Sequence, residues 1–289
     1  MLKQRNKIKY ILCILLLMFV IKPTNLIAES IAYKSYTQDG YGRYVRTQTA
    51  YQPTETLNAF EGEKFNGAED IVLAEDGSIF VADTLNKRII HGSSQGELYA
   101  ILTYEDFVSP MGLALDSDNN LYVADPHAGA VFMFSSDLEF LRRFDKPTHP
   151  LFGQHNNFQP LKVDVDSSGI IYVISKGNSN GIIQLNPDMD DTFLAYFGAN
   201  ELLFSLTTFF RKFIFTDEQL SRMNAIQPPT PVALHIDEEG LVYTLTQSGT
   251  QGLKKLNLAG SNMFEDQAIY NYNYPADVVT GRQDSIYVA

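Results

Sequence analysis

Along most of this chain, apolar positions come in short runs bounded by Gly, Asn, Asp and Ser, and one pattern recurs. An apolar segment leads into an acidic or Gly-containing turn, and a second segment follows with an aromatic residue and, in most copies, Val. It reads "DIVLAEDGSIFVAD" (70–83), "GLALDSDNNLYVAD" (112–125), "KVDVDSSGIIYVIS" (162–175), "ALHIDEEGLVYTLT" (233–246) and "DVVTGRQDSIYVA" (277–289). Alternating segments of this length with turn formers between them predict β-hairpins. The aromatic of the second segment falls at Phe80, Tyr122, Tyr172, Tyr243 and Tyr287, at spacings of 42, 50, 71 and 44 residues. The polar stretch "KPTHPLFGQHNNF" (146–158) accounts for the 50, and an insertion over 198–227 accounts for the 71.

The first period holds four strand-length segments, roughly 70–74, 78–83, 88–91 and 97–102. Four strands in about 40–45 residues is the arithmetic of a propeller blade. The predicted fold is therefore all-β, a β-propeller of four-stranded antiparallel blades over residues 60–289. Residues 29–59 form a lead-in segment, and 41–60 would supply a strand to a terminal blade. The last repeat stops at Ala289, where earlier repeats continue, so a further blade is expected beyond it. Six blades are the first expectation and seven the second.

The insertion has another period. In "NELLFSLTTFFRKFIF", Leu202, Leu203, Leu206, Phe209, Phe210 and Phe213 follow helical spacing. "TDEQLSRM" then opens with Thr216 as N-cap and Gln219 at the capping-box position, so a helix pair is predicted over 199–225. Its apolar stripe either packs on the propeller or presents Phe204, Phe209, Phe210 and Phe213 to a partner or a membrane.

The N-terminus changes the picture of where the protein works. Lys3, Arg5, Lys7 and Lys9 precede an uninterrupted apolar run from Tyr10 to Ile21, and Ala28 offers a small residue before a cleavage point. Residues 1–28 read as a secretory signal peptide, or as an uncleaved signal anchor, which places the protein at the cell surface or outside the cell. Without them the chain loses Cys13, its only cysteine, and its fold must stand without disulfides. It also loses five basic residues, leaving 17 against 34 acidic ones. Such a balance repels phosphate backbones and excludes nucleic acid as a partner. An extracellular carbohydrate or a protein partner fits better. Membrane contact is expected only through the anchor or the helical insertion.

"GSIFVADTLNKRIIHGSSQGEL" (77–98) resembles a complete NHL repeat, with its aliphatic-aromatic strand, Ala-Asp, a turn containing Asn, and Arg-Ile. The second repeat keeps Ala-Asp and lacks the Asn and Arg, and later repeats keep only the strands. In particular, the chain resembles exported bacterial NHL-repeat or gluconolactonase-like propellers. That resemblance implies a divalent cation such as calcium in the central channel, held by a Glu from the first blade with Asn and Asp from later ones. Glu69 and Asp277 stand at two of these places. At the Asn positions this chain has Met111 and Leu161 or Lys162 instead. No cofactor is therefore predicted. A binding or scaffold module is the first reading of function, and a metal-dependent lactonase or esterase the alternative.

Other motifs carry less. "DSDNN" (116–120) begins like a calcium loop, but Leu121 stands where Gly is needed and His127 where Glu is needed. "GSSQG" (92–96) and "GNSNG" (177–181) match the serine-hydrolase pattern yet fall in predicted turns between strands, without the helix a nucleophile elbow requires. The five histidines are scattered. One end of a propeller is lined by the loops entering each blade and those joining its middle strands. For a binding mouth this nominates Glu69, Asp70, Asp83, Asn86, Arg88, Asp125, His127, Lys162, Lys176 and Asn178, with Asp83 and Asp125 also expected to accept hydrogen bonds from turn amides.

Overall fold

The computed structural model describes residues 35–38, 43–47, 56–178, 180–189, 192–198, 230–247, 252–264, 274–281 and 285–289. The chain divides into two compact units, Met1–Thr56 and Leu57–Ala289. In the first, β1 (Ser35–Gln38) and β2 (Tyr44–Thr47) pair antiparallel with each other. The second opens with a short hairpin of β3 (Ala59–Phe60) and β4 (Glu63–Lys64). The first blade is β5 (Ala68–Leu73), β6 (Ile79–Asp83), β7 (Arg88–Gly92) and β8 (Leu98–Thr103). The second is β9 (Gly112–Leu115), β10 (Leu121–Asp125), β11 (Ala130–Phe134) and β12 (Phe140–Phe144). The third is β13 (Pro160–Val165), β14 (Ile171–Ser175), β15 (Ile182–Leu185) and β16 (Phe193–Phe197). A fourth has three described strands, β17 (Ala233–Ile236), β18 (Val242–Leu245) and β19 (Leu253–Leu256), and β20 (Val278–Thr280) pairs with β21 (Ile286–Val288). All pairings are antiparallel between consecutive strands, as a propeller blade requires.

The described residues thus make four blades and one further hairpin, not six or seven blades. The reason is length: successive repeats take 42 to 71 residues, so residues 68–288 hold four of them and a hairpin. The lead-in strands β1 and β2 pair with each other. The predicted helical insertion, with its apolar stripe, lies outside the described residues, as does the signal segment. Among the described residues one 3-10 turn, Thr84–Asn86, is the sole helical element, and no helix is long and apolar enough to cross a membrane.

Phe80, Tyr122, Tyr172, Tyr243 and Tyr287 each take the second place of the second strand in their sheets. The blades stack because that strand is buried on both faces. In β10, Leu121 and Val123 pack back onto Phe80, Ala82 and Ile89 of the first blade. Tyr122 and Ala124 point the other way, onto Val163, Ile171 and Val173 of the third. Period-two alternation therefore sorts side chains between two neighbours instead of between core and solvent. Each fully buried Phe or Val contributes about 1.5–3 kcal/mol, and β10 and β14 are buried along their whole length.

An aspartate closes the hairpin between first and second strands. Asp116 Oδ1 accepts the amides of Asp118 and Asn120, Asp166 those of Ser168 and Ile170, and Asp237 those of Glu239 and Leu241. The acidic turn of "DSDNN" is thus a backbone cap. "GSSQG" is also a turn, with Ser93 Oγ accepting the amides of Gln95 and Glu97. In the second and fourth blades the strand tyrosine donates to the capping carboxylate, Tyr122 to Asp116 at 3.2 Å and Tyr243 to Asp237 at 2.9 Å. The first blade has Phe80 instead, and there Ser78 Oγ lies 2.8 Å from Nε2 of His91, which stacks on the Phe80 ring. Tyr243→Phe should lower unfolding free energy by about 1 kcal/mol, the contribution of one such hydrogen bond. Urea denaturation will measure it; an unchanged midpoint would show that the hydroxyl does not hold the turn.

Candidate functional site

The polar residues nominated for the mouth separate into two groups. Those that match the NHL pattern hold loops in place. Asp83 is fully buried, and its carboxylate accepts the Asn66 amide, the Asn86 side chain at 2.8 Å and Arg88 Nε at 2.8 Å. Arg88 reaches on to Glu63 at 2.8 Å. In the second blade Asp125, also buried, takes four backbone amides instead: Val108, Ser109, His127 and Ala128, at 2.7–3.0 Å. Ser175 does the same for Gln159 in the third. These side chains are committed to joining the loop that enters each blade to the loop after its second strand. Of the remaining nominees, His127 and Lys176 are exposed, and Asn178 is buried with no partner for its Nδ2 among the described residues.

A second group meets at the inner strands. Residues two before the partner of each repeat aromatic are Asp70, Gly112, Lys162, Ala233 and Asp277, and the partners themselves are Val72, Ala114, Asp164, His235 and Val279. All lie on one face of their strands. Asp70 of the first blade accepts the Leu113 amide of the second at 2.9 Å and pairs with Lys162 of the third at 2.6 Å. That reach passes the second blade because Gly112 stands between. A Cβ there would meet Leu161 O at 2.6 Å and Lys162 Cα at 2.8 Å. Asp164 of the third blade accepts the Ile236 amide of the fourth at 2.8 Å. His235 Nδ1 lies 3.7 Å from Asp164, and its Nε2 lies 2.8 Å from Thr280 Oγ1 of the following hairpin. Asp277 takes its neighbour's amide, Val278 N, at 2.9 Å, and its charge acts on Asp70, Asp164 and His235.

Burial and the neighbouring charges shift three of these groups. Burial pushes Asp70 above the usual carboxylate range even with Lys162 beside it. Burial pushes Asp164 up to about 7, against the backbone amides it accepts and with help from the Asp70 and Asp277 charges. Burial depresses His235. The site can therefore hold and exchange a proton near neutrality. Asp164 and His235 were not among the residues nominated from sequence, although the repeat register marks them as polar side chains where other copies have Val or Ala.

The residues present do not fit the divalent cation that the family resemblance implies. Glu69 is the extra residue of a β-bulge between Ala68 and Asp70 and is exposed. Asp277 belongs to the inner-strand group, but the cation already placed among its carboxylates is the Lys162 ammonium. Among the described residues no three His, Cys, Asp or Glu side chains are arranged to hold a metal ion.

The Lys162–Asp70 pair is half of the stitching between first and third blades, and both side chains are largely buried, 14% and 7% exposed. Lys162→Met should cost about 3–5 kcal/mol, because it leaves a buried carboxylate without its partner. Asp70→Asn combined with Lys162→Met should recover a large part. Thermal unfolding of the two variants checks this; equal destabilisation in both would mean that the charge pair is not the cause.

Comparison with known proteins places this arrangement on a familiar scaffold. No family model matches the chain, and no curated protein does. Solved structures do. A streptogramin B lyase aligns with TM-score 0.51 and 12% identity, over 89% of this chain and 69% of its own. A candidate gluconolactonase aligns with TM-score 0.52 and 13% identity, over 89% of this chain and 77% of its own. The hydrazine synthase of Kuenenia stuttgartiensis aligns with TM-score 0.53 and 13% identity, over 82% of this chain and 58% of its own. At this identity the likeness is one of fold, and the fold is that of the gluconolactonase-like and lyase β-propellers.

Proposed function

We propose that this chain is an extracytoplasmic binding propeller that takes a carbohydrate at the end formed by its blade-entering loops. The contrast between the two ends of the blades supports this reading. The connections from first to second and third to fourth strands share one end. Among the described residues every charged residue there is acidic: Glu75 and Asp76, Glu97, Asp116 and Asp118, Asp137 and Glu139, Asp166, Asp188, and Asp237 to Glu239. They lie in short turns, several of them capped by an aspartate. The opposite end carries the longer loops, with Lys87, His127, Lys146, His149, His155 and Lys176 beside Glu105, Asp106 and Asp145. Amides crowd there too, at Asn86, Gln154, Asn157 and Gln159, and Lys146, Thr148, His149 and Gln154 line a pocket of about 280 Å³ in the 146–158 loop. Imidazole and amide groups of mixed charge suit hydroxyl-rich ligands, which need donors and acceptors in fixed places.

The second reading is a lactone- or ester-cleaving enzyme. The lyase and gluconolactonase among the structural neighbours favour it, as does the Asp164–His235 pair. The expected result is binding without turnover. Glycan-array screening followed by calorimetry should find a saccharide whose affinity falls roughly five- to tenfold with His127→Ala or Lys176→Ala, at unchanged melting temperature. Lactone and ester substrates should be left intact with or without calcium. Turnover that is lost in Asp277→Asn would replace the binding reading with the enzymatic one, and capture of a protein with no glycan bound would move the ligand class.

A further inference from the structure

We propose that Asp164 and His235 form a proton-operated latch that holds the third, fourth and fifth sheets together along the inner strands. The geometry carries this. Both oxygens of Asp164 accept backbone amides, Val165 N on its own strand and Ile236 N across the blade boundary, each at 2.8 Å. The same Oδ2 that takes Ile236 faces His235 Nδ1 at 3.7 Å. The other ring nitrogen of His235 is engaged with Thr280 Oγ1 at 2.8 Å. One imidazole therefore lies between a carboxylate of the third blade and a hydroxyl of the hairpin after the fourth. A proton taken up by the pair turns a lone negative charge into a neutral contact or an ion pair.

The surroundings favour that uptake. Asp70 faces the pair from β5, Lys162 from the same strand as Asp164, and Asp277 from the residue just before β20, while Asp237 follows His235 in its own turn. Tyr172 and Tyr243 sit opposite Asp164 and His235 in register, with Lys255 over the Tyr243 ring. Three of the four charges nearest to Asp164 and His235 are negative, and the Lys162 ammonium is bound to Asp70.

The direction follows from linkage. Burial raises Asp164 from the ordinary 3.8 to about 7, so the stability it contributes is complete below about pH 4 and is lost as pH climbs through 7. His235 is depressed below the ordinary 6.5, which destabilises the fold only in more acid solution, where the unfolded chain binds the proton more readily. Between about pH 6.5 and 8 only the loss at Asp164 remains, and the latch loosens.

Hydrogen exchange on the whole chain tests this at the Ile236 amide, with rates corrected for the intrinsic pH dependence of exchange. Protection should fall roughly three- to tenfold from pH 6.5 to 8. Asp164→Asn keeps an acceptor oxygen but cannot lose the proton, and should abolish the fall. Asp277→Asn removes one repelling charge and should move the midpoint to lower pH, a second reading should Asp164→Asn fail to fold. A pH-independent protection in the wild type, an undiminished fall in Asp164→Asn, or an unmoved midpoint in Asp277→Asn would each overturn the latch.

Discussion

The second strand of every blade is buried on both of its faces, and the rest of the structure depends on that. A sheet that faces water on one side can stand alone with a single apolar row, but β10 and β14 have none to spare for water. Leu121 and Val123 need the first blade, while Tyr122 and Ala124 need the third. No blade is then a stable object without its neighbours, which is why the repeat must propagate. The hairpin of β3 and β4 follows the same logic: Phe60 and Phe65 lie over Val81 and Ile90, on the face of the first blade that turns away from the second.

Apolar contact fixes neighbours side by side but does not fix their height along the axis. The polar residues of the inner strands do. Leu113 to Asp70 and Ile236 to Asp164 are hydrogen bonds from a backbone amide of one blade to a carboxylate of the blade before it, at places two residues apart along the inner strand. They set the inner strands level, as ladder bonds do within a sheet. Gly112 has the complementary role: with no side chain, it lets the second blade sit close against Leu161 and leaves Lys162 free to reach Asp70. Charge collects at the axis because several inner strands converge there and little room is left for water or bulk.

How much of this was legible in the sequence follows from the range of each interaction. The strands, their hairpins and the place of the five aromatics depend on alternation and on turn residues within about fifteen positions, and they stand in the chain as plain text. Blade number is a sum over the whole repeat, and the described residues make four blades and a hairpin where six or seven blades were expected. Site residues were harder. Asp83, Asn86 and Arg88 stand out as a motif, and a motif suggests a ligand; the structure shows them bonded to one another across a turn. Asp164 and His235 are 71 residues apart and resemble nothing in isolation. Their signal is comparative: written under Val72, Ala114 and Val279, they are the polar members of an apolar column. A repeat aligned by register, instead of scanned for motifs, would have singled them out.

That column also bears on what kind of chemistry the axis can support. Here the cation is a tethered ammonium, already matched to Asp70 at 2.6 Å, and it cannot neutralise Asp164 and Asp277 as well. Burial and the neighbouring Asp70 and Asp277 charges push Asp164 up to about 7, so a proton can be held there near neutrality. With the Lys162 ammonium among them, the inner-strand carboxylates make a site that can hold a proton. The effect extends toward the blade-entering loops, because Lys162 lies near the start of its strand and Asp277 just before its own, on the side where those loops open.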